Sequence, residues 1–148
     1  MSKSLFRRHV PLTLALAGVL GIVVASATMS QSMSTQQLVL SGSNEVPPVT
    51  TPASGTGTVT INPDHSVTAS ITVTGMTPTA SHIHEGAAGA NGPVIVPFTK
   101  TGDNTFAAPA GAKLTDSQYA SYQAGNLYVN VHSAKNPAGE IRAQLKGN

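Results

Sequence analysis

Residues 55–73 constrain the fold of this chain more than any other stretch. Val59 and Ile61 lie two apart, Asn62-Pro63-Asp64-His65 interrupts them, and Val67, Ala69, Ile71 and Val73 then resume the same period. A two-residue period sends alternate side chains to opposite faces of an extended chain, so each run can bury one face. The turn residues between the runs then specify an antiparallel hairpin. A helix would scatter the same apolar residues around its circumference, because its repeat is 3.6 residues. Composition extends the reading to the rest of the chain. Thr, Ser, Val, Gly and Pro are abundant, only 9% of residues are charged, and tryptophan and cysteine are absent. Such a chain favours short strands joined by tight turns over a helical bundle.

The N-terminal segment reads as an address. Lys3, Arg7 and Arg8 precede an apolar run from Val10 to Val24, and Ala25-Ser26-Ala27 follows as a small-residue cleavage site. These are the three parts of a secretory signal peptide, expected over residues 1–27. A membrane anchor is the competing reading, but the apolar run falls short of the ~20 residues a span requires. No cysteine is present to carry a lipid. Cleavage would remove three of the eight Lys and Arg residues, leaving five against six Asp and Glu, so the net charge of +2 becomes −1. The mature chain then has no basic excess for nucleic acid or for an anionic membrane. Its 148 − 27 = 121 residues suffice for one domain. Without cysteine, that domain has no disulfide staple even in an oxidising compartment.

After a polar, flexible lead-in at residues 28–36, residues 37–148 are expected to form this β domain. The first strand is placed at residues 37–40. The segment Asn44-Glu45-Val46-Pro47-Pro48-Val49 must be extended but cannot be a central strand. Further strands are expected at 80–84, 94–98, 127–132 and 140–145. The single helix is placed near 115–124, with Thr115 as N-cap, Gln118 three residues on and Gly125 after its end. The expected class is all-β, an antiparallel Greek-key sandwich or barrel with one short helix.

Three histidines give this scaffold a chemistry. His82 and His84 flank Ile83, so in a strand both imidazoles share one face. In Leu127-Tyr128-Val129-Asn130-Val131-His132, the residues Leu127, Val129 and Val131 form an apolar face, with His132 opposite. The last two strands can be registered by pattern. Placing His132 opposite Glu140 also pairs Val131 with Ile141, Asn130 with Arg142, Val129 with Ala143 and Leu127 with Leu145. A slip of one residue would destroy that match. If the strands adjoin, His82, His84 and His132 form a three-imidazole site for one divalent ion, copper before zinc on the affinity order. Glu85 and Glu140 are candidate acceptors for the imidazole N–H groups, and Asn130 and Arg142 are further candidates to support the ligands from behind. Arg142 is equally suited to pair with Glu45 and pin the extended segment. Met76 is a candidate soft ligand, although a lone Met is more often core packing. His65, in a turn, reads as solvated.

Asn44-Glu45-Val46-Pro47-Pro48-Val49, Ser81-His82-Ile83-His84-Glu85-Gly86, Asn91-Gly92-Pro93-Val94, Tyr128-Val129-Asn130-Val131-His132 and Gly139-Glu140-Ile141-Arg142-Ala143-Gln144-Leu145 together resemble the CHRD domain. This module is repeated in chordin and occurs singly in secreted bacterial proteins. The resemblance implies a small β-sandwich-like domain. A looser likeness, in His82-Ile83-His84, the later Val131-His132 and Arg142, is to the copper/zinc superoxide dismutases. It implies that the three histidines hold copper, with Arg142 near an anion path. The loop from Glu85 to Pro93 holds no histidine to bridge a second metal, so this pattern permits at most a mononuclear site.

No Gly-x-Ser-x-Gly, cysteine nucleophile or carboxylate pair beside a histidine is present, and the balance is against an enzyme. Three function classes stay open. They are a periplasmic or extracellular metal-binding protein, a metal-free module for a protein or polymer partner, and a superoxide-dismutase-like oxidoreductase.

Overall fold

The computed structural model describes residues 35–147. The expected signal peptide at 1–27 and most of the lead-in lie outside the described residues. Nine strands form one antiparallel sheet: β1 (Thr35–Ser41), β2 (Ser54–Ile61), β3 (Val67–Thr74), β4 (Pro78–Glu85), β5 (Val94–Pro97), β6 (Thr99–Gly102), β7 (Thr105–Ala107), β8 (Leu127–Ser133) and β9 (Ile141–Gln144). Their spatial order is β5-β4-β8-β9-β1-β2-β3-β7-β6. The sheet curls until its ends nearly meet. Phe98 N–H donates to Ser81 O at 3.0 Å, and Lys100 Nζ donates to Pro78 O at 2.8 Å. Of the two all-β outcomes the sequence allowed, this is the barrel-like one. The inner face is the core, with Leu40, Ile71, Ile83, Val129, Val131 and Ile141 all at 0% exposure. Burying each such side chain is worth roughly 1.5–3 kcal/mol. Among the described residues, no helix is long and apolar enough to cross a membrane.

The expected hairpin is β2–β3, paired from Ser54↔Thr74 to Ile61↔Val67. β1 starts earlier than expected. Thr35 and Gln36, assigned above to the lead-in, pair with Thr60 and Val59. β6 and β7 have no counterpart in the sequence reading. β6 is exposed throughout and β7 buries only Phe106, so neither is long enough to display a two-residue period. The helix α1 (Asp116–Gln123) has the expected capping box: Gln118 N–H donates to Thr115 Oγ1, and Thr115 N–H to Gln118 Oε1. His65 corrects a further expectation. It is not simply solvated; its ring stacks on Tyr119 of α1 at 4.2 Å and lies 3.4 Å from Asp116.

The β8–β9 register is the expected one, with Val129↔Ala143, Asn130↔Arg142 and Val131↔Ile141. β4 lies on the other side of β8, with Ala80↔His132, His82↔Asn130 and His84↔Tyr128. Alternation therefore lays out a polar patch on the outside of the barrel. His82 and His84 come from β4, Tyr128, Asn130 and His132 from β8, and Arg142 and Gln144 from β9. This patch is not open surface. Tyr128, Asn130 and Arg142 are at most 2% exposed. From outside, Asn44 Nδ2 donates to Arg142 O at 3.1 Å. The loop at 86–92 bonds Tyr128 Oη through Gly92 N–H and the Arg142 guanidinium through Ala87, Ala90 and Asn91.

Candidate metal centre

The three histidines come together as the alternation requires. His82 Nδ1 lies 3.0 Å from His132 Nε2. One nitrogen of each ring lies within 4.8 Å of the others. That is wider than the about 4 Å that two metal–nitrogen bonds of ~2.0–2.1 Å can span, so the rings must draw in to close on an ion.

The other ring nitrogens decide which atoms face the centre. His84 Nδ1 is 2.9 Å from Gly92 O, and His132 Nδ1 is 2.9 Å from Pro137 O. A carbonyl only accepts, so both Nδ1 atoms carry hydrogen and both Nε2 atoms carry lone pairs. His132 Nε2 faces His82 Nδ1. His84 Nε2 is buried and has no hydrogen-bond partner. Asn130 sits near enough to His84 to favour its charged form, but no contact with hydrogen-bond geometry reaches Nε2.

Electrostatics favour the neutral form of His82 and His84. Burial, reinforced by the neighbouring His132 and His84, pushes His82 down to about 4. Burial also lowers His84, more than its bond to Gly92 O raises it. Neutral imidazoles are the form that coordinates metals.

Tyr128 and Arg142 support His84 from behind. The Tyr128 ring stacks on His84 at 4.9 Å and 7°, and the Arg142 guanidinium carbon lies 3.4 Å from the Tyr128 ring centre. Arg142 also donates to Ala90 O at 2.8 Å, and to Ala87 O and Asn91 Oδ1 at 3.2 Å.

The acceptors expected behind the imidazoles have other partners. Glu85 accepts from Ser121 of α1, because it alternates with His84 and leaves the strand on the opposite face. Glu140 accepts from Ser133 and, at 2.6 Å, from Thr51. Burial raises the Glu140 carboxyl, but these donors outweigh it and hold the pKa below the usual range. Neither carboxylate is bonded to an imidazole; backbone carbonyls take that place. Arg142 does not grip Glu45. It lies close enough to favour the charged carboxylate, but its guanidinium hydrogen bonds go to residues 87–91 and to Gln144. Asn130 lies between His84 and Glu45 and favours the charged form of each. Met76 packs against the hydrophobic core.

The CHRD domain model matches residues 36–145 of this sequence. The chain belongs to the CHRD family. No curated protein and no solved structure matches it. The likeness to superoxide dismutases therefore rests on the pattern of the histidines and Arg142 alone. In this CHRD domain, the segments that carried the resemblance converge on the outer patch. Ser81–Gly86 and Tyr128–His132 bring the histidines, Gly139–Leu145 brings Arg142, and Asn91-Gly92 ties the covering loop to them. Asn91 joins three of these parts: its Oδ1 accepts from Arg142, its Nδ2 donates to Val46 O at 2.7 Å, and its neighbour Gly92 anchors His84.

Two groups of this CHRD domain give opposed pH responses. Burial lifts Glu45 to about 7, against Arg142 and Asn130, which lower it. Its contribution to stability is present below about 4.5 and is lost as pH rises towards 7. His82 is depressed to about 4, so its contribution is present above its ordinary value of 6.5 and is lost as pH falls towards 4. Between these limits the two slopes offset one another. Thermal melts of metal-free Glu45→Gln should therefore fall more steeply from pH 6.5 to 4.5 than those of wild type. Identical slopes would contradict the assignment.

Proposed function

We propose that this CHRD domain binds a single copper ion, or zinc where copper is scarce, through His82 Nδ1, His84 Nε2 and His132 Nε2. The reading is carried by one observation: a buried His84 Nε2 lone pair with no partner, beside a His82–His132 pair sharing one proton. An unsatisfied buried polar atom costs roughly 1–3 kcal/mol, and a bound cation would remove that cost. With an ion in place, the shared proton is displaced and His82 carries its hydrogen on Nε2. The donor set fits such an ion. Imidazole suits both copper and zinc, the affinity order favours copper, and the second ring nitrogens of His84 and His132 are already anchored. Three protein ligands leave a position for water or an outside ligand.

The domain acts outside the cytoplasm in this reading, after removal of residues 1–27, and binding rather than catalysis is its role. The test is metal analysis of protein purified without chelators from its own host. About one equivalent of copper or zinc is expected, on a chain whose intact mass begins near Thr28. A chain free of metal that also fails to take up either ion would overturn the reading and leave a protein- or polymer-binding module. Superoxide turnover by the copper-loaded protein would instead favour the oxidoreductase class.

A further inference from the structure

We infer that Arg142 is a positioning residue for the metal centre, holding the His84 ring so that Nε2 points to His82 and His132. This rests on the metal reading above. Arg142 is 1% exposed, yet its guanidinium is not spent on an ion pair. It donates to Ala87 O, Ala90 O and Asn91 Oδ1, three acceptors within five consecutive residues that form neither helix nor strand. The next residue is Gly92. Its carbonyl accepts His84 Nδ1–H at 2.9 Å, and its N–H donates to Tyr128 Oη at 3.1 Å. One route from Arg142 to His84 therefore runs through the braced loop.

The second route is a stack. Arg142 covers one side of Tyr128 at 3.4 Å, and His84 lies parallel to the Tyr128 ring at 7°. The loop fixes which nitrogen of His84 carries the proton, and the stack fixes the plane of the ring. An imidazole can present either nitrogen to an ion, and its outer hydrogen bond sets the choice. The cation itself works against a metal, since its charge disfavours positive charge on His84. Its place is explained by the planar, multidentate fork, which lysine cannot reproduce.

The test compares Cu(II)-loaded wild type, Arg142→Lys and Val59→Ala by frozen-solution EPR and equilibrium copper affinity. Val59 is a core residue of β2, so Val59→Ala destabilises the barrel without touching the centre. Arg142→Lys keeps the charge and should lower affinity about 10–100-fold, with altered copper hyperfine splitting. Val59→Ala should leave both unchanged. If Arg142→Lys does not fold, Asn91→Ala removes one exposed partner of the fork and should shift both readouts in the same direction by less. Wild-type affinity and spectrum in a folded Arg142→Lys, or failing that in Asn91→Ala, would overturn the assignment. Failure of wild type to bind copper would instead sink the metal reading beneath it.

Discussion

Replacing His84 with alanine should abolish stoichiometric metal binding, whereas replacing His65 should leave it intact. His84 supplies the one buried, unpartnered lone pair of the cluster. Without it, the centre keeps only His82 and His132, which already hydrogen-bond each other at 3.0 Å and gain less from an ion. The loss should exceed the about 10–100-fold typical of removing a supporting partner, because a ligand itself is lost. His65 sits against Tyr119 of the helix, so His65→Ala should affect helix docking rather than metal affinity. Calorimetric titration of both metal-free variants with copper checks this. Equal affinity in His84→Ala and wild type would contradict it.

Gly92→Ala should damage fold and site together. A Cβ at this position would lie 1.6 Å from Glu85 O, with no flexible side chain able to yield. Gly92 is required by this close approach to the end of β4. The backbone would have to move, at roughly 1–3 kcal/mol for such overpacking, and the carbonyl that anchors His84 would move with it. Metal affinity should fall by about 10–100-fold. Gly89→Ala gives the contrast. Gly89 has φ +80° but nothing within 4 Å, so only local strain is added and the centre should keep its affinity. Chemical denaturation and metal titration of the two variants separate these effects. Equal losses in both would contradict the argument.

Much of this architecture is legible because alternation is local and strict. The β8–β9 register follows from matching Val129 and Val131 against Ala143 and Ile141. The shared face of His82 and His84 follows from Ile83 between them. The capping box at Thr115 and Gln118 is equally local. What pattern could not reach is what covers the outer face. The sequence does not say that residues 86–92 close over Tyr128 and Arg142, or that Asn44 reaches Arg142 O, because loops carry no two-residue period. Nor could it identify Gly92 O and Pro137 O as imidazole acceptors, since backbone carbonyls have no residue signature. Glu85 and Glu140 are the acceptors visible in the sequence, but Ser121, Ser133 and Thr51 already occupy them. The strands β6 and β7 are too short to display a period, and β6 is exposed throughout.

X-ray absorption at the metal edge of the loaded protein tests the central claim most directly. One ion held by His82, His84 and His132 predicts three nitrogen scatterers at ~2.0–2.1 Å with the outer-shell pattern of imidazole, reduced to two rings or lost in His84→Ala. A first shell of oxygen without imidazole scattering, unchanged by that substitution, would contradict it.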